Sequence, residues 1–289
     1  MMLPERFGPG RPLATKAFLA ALWTANLVLV AIMIYGFFVS DAGYDWLTFR
    51  EAGRRVLEGG LYKWENEYAW SYSPLLAYLF AVIAPIGYLG WSVLHVVALL
   101  AVRDRWLIAI TFMSFPFWAD LYNGNTMAFV FVAAAGVLRQ NSAATAAYLV
   151  LCLLMPRPVM LPLLAWVLWR QPAWRTWFAA LVVVNALAVL GSGHGAAWVE
   201  ALLRVPGAVS VSSRDLGPAV LLGLWWLPLS AVLAGVLLIR GRIGFASVAA
   251  SPYWLPQYFI MLLLELVPQQ SERPRSAVGA VRAPTAVEP

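Results

Sequence analysis

An uncharged run from Ala17 to Val39 opens a pattern that the chain repeats nine more times. The run exceeds the roughly 20 residues that a helix needs to cross a bilayer. It is also too long for the apolar core of a cleavable signal peptide, so it reads as a retained span. The further apolar segments cover 73–85, 88–102, 106–119, 126–138, 143–155, 158–169, 175–191, 218–239 and 244–267. Among 289 residues, 62% are apolar and 12% charged, and the mean hydropathy is +0.74. Soluble domains are about 45–50% apolar and about 25% charged. A water-soluble domain is excluded, and so is a wholly disordered chain, which needs low hydrophobicity and high charge. What remains is an all-α polytopic membrane protein. Several segments are too short to cross alone and read as tilted, re-entrant or buried helices, which gives about 9–10 transmembrane or partial helices.

The remaining composition narrows the chemistry. A net charge of +6 is spread over short loops rather than a stripe, which argues against nucleic acid as a partner. The single cysteine, Cys152, lies in an apolar run and reads as a small buried hydrophobe. Two histidines, His95 and His194, are too few for a histidine-rich metal site, and no metal or cofactor is expected. His95 reads as an interhelical packing residue. The 15 Trp and 11 Tyr suit long membrane–water interfaces, which collect amphipathic rings. Walker, dinucleotide, HExxH and GxSxG patterns are absent.

Charge sets the expected organisation. Residues 1–16 carry Glu5 against Arg6, Arg11 and Lys16 and are expected in the cytoplasm; 17–267 form the membrane domain and 268–289 a disordered tail. The polar stretch 40–71 holds six acids against four bases and is placed outside. Between Asp45 and Glu58, Trp46, Phe49, Val56 and Leu57 recur near helical spacing and Gly59-Gly60 follows. This predicts an amphipathic helix in the outer interface. If the 73–102 pair contributes an odd number of crossings, Arg103, Arg105, Arg139, Arg170, Arg175, Arg240 and Arg242 all fall in the cytoplasm. Residues 40–71, 120–125, 155–158 and 191–217 then share the extracytoplasmic side.

Each polar candidate on that side carries two readings. Asp45 is a helix N-cap or a functional acid, with Asp41 as the competing acid. Tyr68, Trp70 and Tyr72 are an interfacial aromatic belt or a ligand surface. Asn123-Gly124-Asn125 is a turn, or a pair of amides that recognise hydroxyls. Arg157, between Pro156 and Pro158, is a snorkelling anchor or a phosphate ligand, since its planar fork suits phosphate oxygens. Ser251 to Gln257 forms a further polar segment, and Glu265 is given no role.

The stretch from Asp45 through Arg54, Gly59-Gly60 and Leu61-Tyr62, followed by Tyr72-Ser73-Pro74, resembles the first outer loop of glycosyltransferase family 87. Asn123-Gly124-Asn125 looks like that family's Gly-Gln-x-Asn turn with the glutamine missing. Met155-Pro156-Arg157-Pro158 looks like its Lys-x-x-Pro turn with Arg for Lys. Ser251-Pro252-Tyr253-Trp254 resembles its Ser-Pro-x-x-Trp, but Gln257 and Tyr258 stand where histidines usually follow.

The resemblance implies a GT-C-like helical bundle in a bacterial plasma membrane, with an extracytoplasmic active site. It implies an inverting transfer of a hexose, mannose foremost, from a polyprenyl-phosphate sugar to a hydroxyl on a lipid or glycan. In that reading Asp45 is the general base and Arg157 binds the donor phosphate. Arg54, Tyr62, Tyr72, Asn123, Asn125, Tyr253, Trp254 and Gln257 line the substrate, and membrane lipids are the remaining partners. The rival readings are a transporter or flippase, with broken helices around a polar site, and a non-catalytic membrane protein that keeps the fold.

Overall fold

The computed structural model describes residues 13–39, 43–62, 70–209, 217–252 and 254–268. Residues 1–12, Asp41, the 63–69 stretch with Tyr68, residues 210–216, Tyr253 and the tail from 269 lie outside these, so the expectations for them have no structural counterpart. Among the described residues the chain is all-helical. The helices are α1 (Leu13–Val39), α2 (Tyr44–Glu58), α3 (Pro74–Ile83), α4 (Gly87–Leu100), α5 (Arg105–Phe112), α6 (Phe115–Asn123) and α7 (Met127–Leu138). They continue as α8 (Ser142–Leu154), α9 (Leu161–Arg170), α10 (Ala173–Gly191), α11 (Gly195–Val209), α12 (Pro218–Leu222), α13 (Trp226–Ile239) and α14 (Ile243–Ala250).

Among the described residues, three stretches are long and apolar enough to cross a membrane: Thr15–Val39, Pro74–Leu100 and Ala173–Gly191. Together with the outward apolar side chains of α1, α10 and α13, such as Phe18, Leu187 and Ile239, they make this a helical membrane protein.

Proline and glycine explain where the apolar segments divide. The 106–119 segment breaks at Ser114, and Pro116 stands in the first turn of α6. The last segment breaks at Ser251, whose extended backbone is the one a following proline demands. It resumes as a 3₁₀ helix over Pro256–Leu266, far longer than the usual three or four residues. Pro85 and Gly87, at φ 73°, interrupt the 74–100 stretch. The rings of Phe80 and Trp91 stand 5.1 Å apart, whereas a straight helix would separate their backbones by roughly 16 Å at 1.5 Å per residue. The chain therefore bends between α3 and α4. Gly53 brings α2 onto the backbone of Phe80 and Ala81, where a side chain would collide, so α3 packs along the amphipathic α2. The amphipathic helix itself runs Tyr44–Glu58 and stops at Gly59, φ 86°.

Hydrogen bonds between turns assign both ends of the bundle. At one end Ser73 N–H donates to Leu154 O (3.0 Å), Tyr88 Oη to Tyr122 O (2.7 Å) and Trp91 Nε1 to Gly124 O (2.9 Å). Trp198 Nε1 reaches Ser71 O at 3.2 Å, and the His194 ring lies 6.4 Å from that of Tyr62. At the other end Arg139 donates to Val102 O (2.5 Å) and pairs with Asp104 (2.8 Å). Arg242 and Glu265 pair at 2.7 Å. Between the ends Phe117, Phe131, Tyr148, Leu149 and Leu163 form an apolar core with Cys152 buried beside them. The described parts of 40–71, 120–125 and 155–158 thus meet at one end of the bundle, where the start of α11 joins them; the 191–217 stretch, expected as a loop, is helical over Gly195–Val209. Single cysteines at Gly59 and Gly193, in a Cys152→Ser background, should label from the same side of a sealed vesicle, and one at Arg240 from the other. Opposite labelling of Gly59 and Gly193 would contradict this arrangement.

Candidate functional site

Two glycines create the junction on which the site stands. Gly124 closes α6 in a left-handed conformation (φ 68°) that glycine adopts without strain. A side chain there would strike Trp46 Cβ, and one at Gly43 would strike the carbonyl of Tyr122 and the backbone of Asn123. The first turn of α2 therefore lies directly on the α6–α7 turn, and Asp45 meets Asn125. The N-cap of α2 is Gly43, without a side-chain cap bond, and Asp45 sits inside the first turn with its carboxylate on Asn125. This corrects the capping reading of Asp45.

Asn125 is the hub. Its Nδ2 donates to Asp45 Oδ2 at 2.6 Å, and its Oδ1 accepts from Arg157 Nη1 at 2.7 Å and from Thr126 N–H at 2.6 Å. Arg157 Nη2 donates to Tyr72 Oη at 2.8 Å, and the guanidinium carbon stands 5.0 Å from the Tyr72 ring and 5.9 Å from that of Tyr258. Arg157 is 2% exposed and its head points inward, so it does not snorkel. Pro158 holds its backbone extended (φ −114°, ψ 136°). Tyr62 Oη donates to Tyr72 O at 2.8 Å, and Trp70 and Phe49 flank the Tyr72 ring at 5.2 and 6.2 Å.

Beneath the hub lie two residues to which the sequence reading gave no part in a site. His95 is wholly buried; its Nε2 lies 2.7 Å from Asn125 O and 3.5 Å from Asp120 Oδ2, and its Nδ1 2.9 Å from Trp91 O. Asp120 accepts from the N–H groups of Met127 (3.1 Å) and Ala128 (2.8 Å) and so caps α7. His95 is thus packed between helices, as its apolar context suggests, and it also holds the Asn125 backbone. Nothing in its local sequence separates these roles. Tyr258 was legible only as a neighbour of Gln257.

Other candidates are not brought to the hub. Arg54 is exposed and pairs with Glu51 (2.6 Å) and Glu58 along its own helix. Asn123 Nδ2 turns back to Ala119 O at 2.9 Å. Trp254 is 41% exposed, against Phe259 at 6.3 Å. Gln257, next to Tyr258, is buried with Oε1 unpaired among the described residues. No group of three His, Cys, Asp or Glu residues capable of holding a metal stands together among the described residues.

Burial pushes the Asp45 carboxyl above the usual aspartate range; the Asn125 hydrogen bond and the Arg157 charge oppose this, and the Asp120 charge adds to it. The cluster therefore offers a carboxylate more basic than an ordinary aspartate and, beyond one amide, a desolvated guanidinium with a phenol attached. In comparisons with known proteins, no family model, curated protein or solved structure matches the chain.

A carboxyl with a raised pKa favours the folded state at low pH, and that contribution is lost as pH rises through the folded pKa. Asp45→Asn removes the charge and still accepts the Asn125 N–H. Its melting temperature in detergent at pH 7 should match or exceed that of the parent. Arg157→Ala strands the Asn125 and Tyr72 partners in a buried site and should cost about 3–5 kcal/mol. His95→Phe frees Asn125 O and should cost about 1–3 kcal/mol. Thermal unfolding of the three variants checks the order; a destabilised Asp45→Asn would contradict it.

Proposed function

We propose that the protein is an integral membrane glycosyltransferase that moves a hexose, mannose foremost, from a polyprenyl-phosphate donor to a hydroxyl of a lipid or glycan. The observation that carries this reading is the joining of Asp45 and Arg157 through Asn125, from positions 80 and 32 residues away from it. A hydroxyl is a weak nucleophile and needs a base within hydrogen-bond reach, which Asp45 supplies. The phosphate released from the sugar needs a cation and a hydrogen-bond donor, which Arg157 and Tyr72 supply. The resemblance of the 45–74 stretch to family 87 supports the same roles.

In this mechanism the donor phosphate takes the face of Arg157 and Tyr72, and the acceptor hydroxyl approaches Asp45. The acceptor oxygen attacks the anomeric carbon as its proton passes to Asp45, and the bond to the phosphate oxygen breaks with inversion. Asn125 holds the two charges on fixed bearings throughout. Tyr62 supports the Tyr72 backbone, and Gln257 offers an unpaired acceptor for a sugar hydroxyl. The hub end would face the extracytoplasmic side, with the α1 N-terminus in the cytoplasm.

The test is consumption of a panel of polyprenyl-phosphate sugars by purified protein in detergent. Consumption of one donor supports the reading; consumption of none favours a flippase, which has no task without a sealed membrane. Asp45→Asn should lower turnover by about 10²–10⁴-fold with donor binding intact. The acid limb of the pH–rate profile should lie above the ordinary aspartate value of about 3.9. Arg157→Lys should weaken donor binding more than turnover, since Lys keeps the charge and loses the fork. Near-normal turnover of folded Asp45→Asn would remove Asp45 as the base.

A further inference from the structure

A cavity of about 1150 Å³ lies between α3, α4, α7 and α8. It exceeds the roughly 300–1,000 Å³ of ordinary ligand pockets. Its walls are apolar, among them Leu79, Leu94, Ala98, Val132, Ala147 and Leu151. Leu79 and Leu94 are also 45% and 39% exposed, so the cavity opens sideways along the helices, where a membrane protein meets lipid. A lateral apolar opening of this kind suits a hydrocarbon chain.

The two ends of the cavity differ in chemistry. Thr126 and Met155 close it toward the hub, while Arg103, Arg139, Gln140 and Asn141 line the far end. Arg139 is committed to Val102 O and Asp104, but Arg103 is exposed, and Arg105 follows in the same turn. Three arginines thus stand there against one aspartate. Asn141 Oδ1 caps α8 by accepting from Ala144 N–H, which directs the positive end of a 13-residue helix to the same place. Arg103 (φ 56°) and Gln140 (φ 59°) are the non-glycine residues at positive φ among those described. Each follows the end of a helix, where glycine would carry no strain.

We propose that this cavity is a lipid site, holding one acyl chain of an anionic glycerophospholipid with its phosphate on Arg103, at the end of the bundle away from Asn125. The guanidinium fork matches phosphate oxygens, and basic pockets between helices take anionic headgroups. A polyprenyl phosphate is the other lipid within reach, but its phosphate is matched by Arg157 at the opposite end. The cavity and its arginines stand apart from the transferase reading, while the choice against a polyprenyl phosphate rests on it.

Native mass spectrometry of delipidated full-length protein, titrated with phosphatidylglycerol, phosphatidylcholine or polyprenyl phosphate, tests it. Phosphatidylglycerol should bind about tenfold more tightly than phosphatidylcholine, and Arg103→Gln and Arg103→Glu should erase that preference. Ala147 is an exposed lining residue, so Ala147→Trp should fill the cavity and abolish binding of both phospholipids while melting stays unchanged. Equal binding of the two by the parent chain, or a preference that survives both Arg103 variants, would overturn the headgroup assignment. Binding that survives folded Ala147→Trp would overturn the cavity as the chain's place. Displacement of phosphatidylglycerol by polyprenyl phosphate, lost in Arg157→Lys, would give the cavity to the substrate of the hub instead.

Discussion

A guanidinium taken out of water must be met by acceptors, and beside the Tyr72 hydroxyl the amide oxygen of Asn125 meets Arg157. Much of the hub end follows from that one contact. For Asn125 to face Arg157, α6 must end in a left-handed turn at Gly124. For its amide nitrogen to be satisfied as well, α2 must dock with Asp45 above it, which Gly43 permits. Its backbone carbonyl is held by His95, and its backbone N–H donates to Asp120 O at 3.0 Å. Removing the amide would leave the Arg157 cation and the Asp45 carboxyl without their common partner.

The amide between the charges also matters chemically. A direct Arg–carboxylate pair would favour the ionised carboxyl and lower its basicity. With Asn125 between them, the Arg157 charge and the Asn125 bond do not outweigh burial, and the Asp45 carboxyl stays above its usual range. Carboxylate and guanidinium are kept distinct within one network, as the proposed transfer would require.

The aromatic shell gives this network its rigidity. Phe49 stacks on Phe80 at 4.5 Å, Trp46 on Trp91 at 5.7 Å, and Trp91 meets the His95 ring edge-on at 5.1 Å. These rings tie α2, α3 and α4 together at the level of the hub, and offset or edge-on ring pairs add to the stability that their burial already gives. The bend at Pro85 and Gly87 makes this possible, because it turns α3 along α2 instead of letting it continue into α4.

Helical class, the amphipathic helix and the approximate place of most apolar segments were legible from the residues alone, because hydrophobic period and charge density are local properties; the breaks inside 106–119, 218–239 and 244–267 and the helix over Gly195–Val209 were not read. The α2 prediction missed its start by one residue. The described parts of the stretches that the arginine count grouped lie together at the hub end, with 195–209 a helix instead of a loop. Asp45, Asn125, Arg157 and Tyr72 could be named as candidates, but their union could not. It depends on which amide of an Asn-Gly-Asn turn points inward, and the left-handed Gly124 together with the docking of α2 decides that Asn125 does and Asn123 does not. Arg54 and Trp254 show the converse: a motif position fixes a residue's neighbours in sequence, while its own helix or the protein surface can claim the side chain. His95 and Asp120 were invisible as supports because both lie in ordinary helical sequence, and their contacts to Asn125 and to the start of α7 form only between helices. Local chemistry set what each segment could become; satisfying a buried charge through contacts distant in sequence decided which residues form the site.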